Sequence, residues 1–138
     1  MPQIGGISYH RLSYPVELLP DHGVRLFTDI SEGDEVVLMK GTPESLVNRA
    51  GRVARVAVEA AGFGPEEIQG ALVLFCTGCM LSVQDRLPEV VAGLRKGLNQ
   101  AAFLGTFTLG EQGCFIGGEN RHGNLMIAVL AIGSKEVE

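Results

Sequence analysis

Ala71-Leu72-Val73-Leu74-Phe75 is an uninterrupted apolar run, and it constrains the fold more than any other segment. Five consecutive apolar residues cannot alternate between core and solvent, so the run predicts a strand buried on both faces. Leu125 to Ile132 is apolar throughout and predicts another central strand. Ala102 to Leu109 carries Phe103, Thr106, Phe107 and Thr108, which favour extended structure. Upstream, Val24 to Ile30 and Glu35 to Met39 are two more β-rich runs, separated by the polar turn Ser31-Glu32-Gly33-Asp34. That arrangement predicts a hairpin. Residues 1–23 read as a lead-in segment with one strand near Ile7 to Leu12.

Two helices are marked by their punctuation. Thr42 is a candidate N-cap, Pro43 suits the first helical position, and Gly62 supplies a stop. Between them Leu46, Ala50, Val53, Ala57 and Ala61 repeat at helical spacing, with Asn48, Arg49, Arg52 and Arg55 on other faces. The spacing predicts a helix over 43–61 that lays small residues against a sheet. A second helix is expected over 85–98, where Leu87, Val91, Leu94 and Leu98 form a stripe. Pro88 is tolerated there in the first turn, and Arg95 and Lys96 complement the C-terminal dipole. Gly64-Pro65-Glu66-Glu67 begins a connection with one short helical turn. The order is strand, strand, helix, strand, helix, strand, strand. Two helices cannot cover both faces of such a sheet, so the expectation is a two-layer α+β sandwich with a mixed, largely antiparallel sheet. One sheet face then needs cover from a second domain or a symmetry mate, the latter making a homodimer.

The bulk numbers fit this. A chain of 138 residues with 46% hydrophobic and 20% charged residues reads as one globular domain with a sufficient core. A net charge of −5 with scattered cations argues against nucleic acid as a partner. No run approaches the roughly 20 apolar residues of a membrane span, so no membrane partner is expected. The start Met1-Pro2-Gln3 lacks a secretory pattern, and three cysteines in a chain with its own core suggest reduced thiols and a cytoplasmic setting.

The sharpest chemical signal is Cys76-Thr77-Gly78-Cys79 at the end of the first buried strand. A C-x-x-C suits a redox dithiol, because two sulfurs can close a small ring, or half a zinc site. Cys114 and His122 could complete a Cys₃His set, but they are eight residues apart in a segment without paired spacing. No helix start is expected immediately after the C-x-x-C. The plainer reading is a buried strand-end Cys76 beside an incidental Cys79. From Gly110 to Gly123, five of fourteen residues are glycine, so a long binding loop or a loose excursion is expected. Glu111 follows Gly110 directly after a strand, which suits recognition of an ammonium or hydroxyl group; a solvent-exposed glutamate is the alternative. Asn124 opens the last strand, where a pocket amide and a turn asparagine are both open. Nucleophile-elbow, Walker and H-E-x-x-H patterns are absent from the sequence, and no cofactor or catalytic residue is assigned.

Three segments resemble a known family. Gly70 to Gly78 is similar to a strand ending in a Phe-Ser-Cys-x-Gly-Arg type motif. Gly105-Thr106-Phe107-Thr108-Leu109-Gly110-Glu111-Gln112-Gly113 resembles a Gly-Phe-x-Thr-x-Gly-Glu-Ile-Gly segment, and Asn124 to Ala131 a closing His-Asn-Gln-Thr-Leu-Thr-Val-Leu-Ala strand. These are features of the FIST C-terminal domain, with residues 70–133 the best-matching core and 1–138 one such domain. The resemblance implies an intracellular, non-catalytic sensory module of bacterial signal transduction. It would bind a small ligand, an amino acid or a relative of one, and relay occupancy to a FIST N-terminal domain or another signalling module. Carried over residue by residue, it implicates Cys76, Gly78, Gly105, Thr108, Gly110, Glu111, Gly113 and Asn124. Three departures stand out: Cys79 where the family has arginine, Gly123 where it has histidine, and Leu125-Met126 where it has Gln-Thr. The alternatives are a zinc or thiol-redox site at Cys76, Cys79 and Cys114, and a domain for docking or dimerisation.

Overall fold

The computed structural model describes residues 3–4, 7–8, 10–115 and 119–134. Strand β1 (Gln3–Ile4) pairs with β2 (Ile7–Ser8), and β3 (Pro15–Leu18) with β4 (Val24–Leu26), both antiparallel. The expected hairpin between 24–30 and 35–39 does not form. Val24 to Leu26 pairs upstream with β3 instead, and Val36, Val37, Leu38 and Met39 lie exposed without a strand partner. The predicted turn at Ser31 to Asp34 is present, with Asp34 N–H donating to the Ser31 carbonyl and Ser31 N–H to Asp34 Oδ2. A β-rich composition marks residues fit for a strand, but an edge must be in reach to pair with.

Helix α1 (Pro43–Ala60) begins as expected. Thr42 Oγ1 accepts from Ser45 N–H at 3.1 Å and Ser45 Oγ accepts from Thr42 N–H at 2.9 Å, a reciprocal cap that contributes about 1 kcal/mol. Gly62, at φ +68°, carries the chain out of the helix. After a single 3-10 turn at Pro65–Glu67, β5 (Ile68–Cys76) runs through the apolar segment. The helix expected over 85–98 is present as α3 (Leu87–Gly97), and two further elements precede it, α2 (Thr77–Ser82) and a 3-10 turn at Gln84–Arg86. A helix therefore does start directly after Cys76, contrary to the sequence expectation.

Strands β6 (Phe103–Thr108), β7 (Glu111–Phe115), β8 (Glu119–Gly123) and β9 (Ile127–Gly133) complete the chain. The glycine-rich segment expected as a loop is thus an antiparallel hairpin, β7 on β8, with Gln112 opposite His122 and Gly113 opposite Arg121. The main sheet has the order β6-β5-β9, with β5 parallel to β6 and antiparallel to β9. The α+β reading with a mixed sheet and two main helices stands, but β9 is an edge strand rather than a central one.

One face of the sheet is the core. Ala71, Val73 and Phe75 of β5 and Ile127 of β9 are buried with Val47, Ala50, Ala54 and Val58 of α1 and Val90 and Leu94 of α3. The opposite face is open at one end, where Leu72, Leu104 and Leu130 sit in register and are 42%, 71% and 61% exposed. The expectation of a β5 strand buried on both faces fails at Leu72. At the other end the β7–β8 hairpin covers the sheet; a Cβ on Gly113 would lie 3.6 Å from Ala128 Cβ.

Small residues on α1 serve a second purpose beyond sheet contact: they let α3 approach closely. A Cβ on Gly51 would stand 2.7 Å from the Gly93 carbonyl oxygen, and one on Gly97 would stand 2.5 Å from the Gly51 carbonyl oxygen. Backbone cannot yield as a side chain can, so added methyls must push the helices apart. Gly97→Ala is expected to destabilise by about 1–3 kcal/mol in urea unfolding followed by circular dichroism. Gly41→Ala, where the nearest atom is Ser45 Oγ at 4.0 Å, should stay within about 0.5 kcal/mol of wild type.

The start of α3 is also tied to α1 by charge. Arg86 donates to Glu44 Oε2 at 2.7 Å and to Glu89 at 2.6 and 2.7 Å. These hydrogen bonds hold both carboxyl groups below the ordinary glutamate value of 4.5. A lowered folded value means stability that is present above the unfolded value and lost as pH falls through the folded one. The difference in urea midpoint between wild type and Arg86→Gln should therefore be present at pH 7, shrink below 4.5, and vanish beneath the lowered folded values.

Candidate functional site

The C-terminal end of β5 is where the sequence-selected residues meet. Pairing on both sides of β5 brings Thr108 of β6 beside Cys76 and delivers Met126, just before β9, to the same level. Cys76 N–H donates to the Met126 carbonyl at 3.0 Å, and Met126 N–H donates to Glu111 Oε2 at 3.3 Å. Thr108 Oγ1 donates to Glu111 Oε1 at 2.9 Å. Glu111 is fully buried, at 0% exposure, so the solvent-exposed alternative is excluded. The tight turn at Gly110, φ +97°, places it there. That φ favours glycine, and a Cβ there would also displace the His122 ring, whose Nε2 lies 2.6 Å from the position.

Cys76 and Glu111 are therefore joined through the backbone of Met126. Asn124 is adjacent, but it is committed elsewhere: its N–H donates to the Leu12 carbonyl at 3.0 Å and its Oδ1 accepts from Tyr14 N–H at 3.4 Å. It ties the lead-in segment to the β8–β9 turn. Gly78 lies exposed in α2, and a Cβ there would sit 3.7 Å from Cys76 Sγ and 3.8 Å from Leu125 Cδ2. Gly105 is in the middle of β6, a strand away from the Glu111 carboxyl group, with a Cβ position 3.9 Å from Val73. Gly113 faces Ala128 across the hairpin–sheet contact.

The thiol, carboxyl and amide do not line a shared hollow. Cys76, Glu111 and Asn124 are packed, at 7%, 0% and 5% exposure. A concavity of about 480 Å³ instead lies on the adjoining hairpin, lined by Gln112, Gly113, Asn120, Arg121 and His122. Of the residues selected by sequence, Gly113 lines it, while Glu111 lies in the packed layer next along the strand.

Sequence reading also missed Arg49. Its Nη1 donates to the Leu125 carbonyl at 2.6 Å, from the part-buried shoulder of α1. Leu125 takes φ +55°, a conformation that turns β8 into β9. The Arg49 cation also acts on Cys79, where arginine would stand in the resembled motif. The available signal was an arginine one position before Ala50, a buried member of the small-residue repeat of α1. Burial pushes the Cys79 thiol up to about 12, with Cys76 adding to the rise and Arg49 opposing it. Among the described residues, no group of three His, Cys, Asp or Glu side chains stands together to hold a metal ion. Cys76 and Cys79 are buried at the end of β5, whereas Cys114 is exposed on β7.

The FIST C domain family model matches residues 6–114. The chain belongs to the FIST C domain family. That family is one of sensory domains in signal transduction. The match takes in the lead-in segment and α1 and ends within β7, so the closing β9 strand lies beyond it. No curated protein and no solved structure matches the chain. Among the described residues, no helix is long and apolar enough to cross a membrane.

The Thr108–Glu111 hydrogen bond offers a direct check on this FIST C domain. Thr108→Val keeps the volume but removes the hydroxyl donor from a fully buried carboxyl oxygen, a loss of about 1–3 kcal/mol. Thr106→Val, two residues earlier and exposed, should leave the urea midpoint nearly unchanged. Equal effects from the two substitutions would remove Glu111 as the buried anchor.

Proposed function

We propose that this FIST C domain is a non-catalytic sensory module that binds a small acid-bearing metabolite, an amino acid or a relative of one, over the β7–β8 hairpin. The observation that carries the reading is the juxtaposition of a fully buried glutamate with an open concavity of about 480 Å³ that carries polar side chains. That volume falls within the range of small-molecule sites, roughly 300–1,000 Å³. Arg121 supplies a cation to the lining, with Gln112, Asn120 and His122 as further hydrogen-bonding groups. A guanidinium suits a carboxylate through paired N–H donors.

In this reading the residues of the concavity and those selected by sequence fall into three groups. Gln112, Gly113, Asn120, Arg121 and His122 meet the ligand. Thr108, Gly110 and Glu111 hold the hairpin to the sheet, and Cys76, Gly78, Gly105 and Asn124 shape the support beneath it. Occupancy favours one setting of the hairpin, and Glu111 passes it to Met126 and the end of β5. The partner is a FIST N-terminal domain or another signalling module in the cytoplasm. The in-register row Leu72, Leu104 and Leu130 favours docking as a companion role, because an apolar strip of this kind is suited to cover by a partner or a second copy.

Isothermal calorimetry with a panel of amino acids and small organic acids tests the proposal. At least one acid should bind, and Arg121→Ala should weaken it roughly tenfold or more, the loss of one charge-assisted hydrogen bond. A panel without a single binder, on this chain and on the full-length protein, overturns the reading.

A further inference from the structure

Cys79 stands where the resembled motif has arginine, and the structure gives that replacement a chemical consequence. Cys76 is the residue before α2 and Cys79 is its third residue, so the two are one helical turn apart. Residues at this spacing have Cβ atoms about 5–6 Å apart. A disulfide needs roughly 3.5–4.5 Å, a gap that a small local adjustment closes. Cys76 is among the groups that push the Cys79 thiol up, so the two sulfurs are near neighbours.

The surroundings permit that adjustment. α2 has six residues, of which Cys79 is the buried one. The backbone over Cys76 belongs to Gly78, which is exposed and has no side chain to shield the sulfur 3.7 Å from its Cβ position. Cys76 is 7% exposed and Cys79 2%. A small reagent therefore reaches Cys76 first, past Gly78.

We propose that Cys76 and Cys79 form a redox-active dithiol, converted to an intrachain disulfide by a low-molecular-weight disulfide such as oxidised glutathione. The Cys76 sulfur, losing its proton to water, attacks one sulfur of the oxidant. A Cys76–glutathione bond forms, the glutathione S–S bond breaks, and one glutathione leaves. The Cys79 sulfur then attacks Cys76 Sγ, and its proton passes to the second departing glutathione. Two thiols are oxidised, one glutathione disulfide is reduced to two thiols, and atoms balance. The order follows from access: Cys76 is the more exposed of the two and lies beside the bare Gly78, so it meets the oxidant, and Cys79 beneath it resolves the mixed disulfide. The site stands independently of ligand binding at the hairpin.

The test incubates the native protein with mixtures of reduced and oxidised glutathione, blocks remaining thiols with iodoacetamide, and maps peptides without reduction. The expected product is the Cys76–Cys79 peptide lighter by two hydrogens and unalkylated at both positions, and reversible with excess reduced glutathione. Cys79→Ala should instead accumulate a mixed disulfide on Cys76, while Cys114→Ser should still form the disulfide. Alkylation of Cys76 and Cys79 after full oxidation, or a disulfide that forms only once the chain is unfolded in urea, overturns the proposal.

Discussion

Two-sided pairing of β5 is the constraint on which the rest of the structure depends. A strand flanked on both sides satisfies its backbone N–H and C=O groups within the sheet, so it can run through the least hydrated part of the molecule. β5 alternates buried and partly exposed residues down to Phe75 and Cys76, both buried, whereas β6 on the edge is mostly exposed. The partners of β5 then fix everything at its C-terminal end. Parallel pairing sets Thr108 beside Cys76, antiparallel pairing sets Ile127 beside Phe75, and the segments leaving β6 and entering β9 must meet above that point. Glu111 is buried there because its backbone and hydroxyl partners arrive on strands already held in register.

The legible parts of this fold carry their instructions locally. α1 has a cap, a proline, a small-residue repeat and a stop within twenty residues, and none of these needs a distant partner to be recognised. β5 and β6 are readable from apolar and β-favouring runs for the same reason. The errors fall where pairing is decided at a distance. Residues 35–39 have the composition of a strand, yet the hydrogen bonds that would make one are absent because Val24 to Leu26 turns back to Pro15–Leu18. Pro15 is acceptable there as the first residue of an edge strand. The β7–β8 hairpin is obscured by glycines that would ordinarily weaken a strand. Gly113 is not crowded, since a Cβ there would make an ordinary 3.6 Å contact with Ala128, while Gly110 is called for by its φ of +97°.

The candidate site divides along the same line. Thr108 and Glu111 were recoverable, since one ends a strand and the other follows its turn. Gln112, Asn120, Arg121 and His122 were not, because their shared surface exists only once the hairpin pairs Gln112 with His122 and Gly113 with Arg121. Asn124 illustrates the reverse case. It is near Glu111 in the chain's geometry, but both its N–H and its Oδ1 are used on residues 12 and 14, more than a hundred positions away. Proximity in a motif does not determine which neighbour a side chain serves.

Arg49 shapes the mechanics of this region as well as its charge. A guanidinium on α2 would belong to a six-residue helix, free to move with the end of β5. Placed on α1 and bonded to the Leu125 carbonyl, it belongs to a longer helix that is seated against α3 through Gly51, Gly93 and Gly97. Backbone in contact with backbone leaves little room for sliding, so α1 and α3 respond to a displacement together. The path from Glu111 through Met126 and Leu125 to Arg49 therefore ends on a stiff pair of helices.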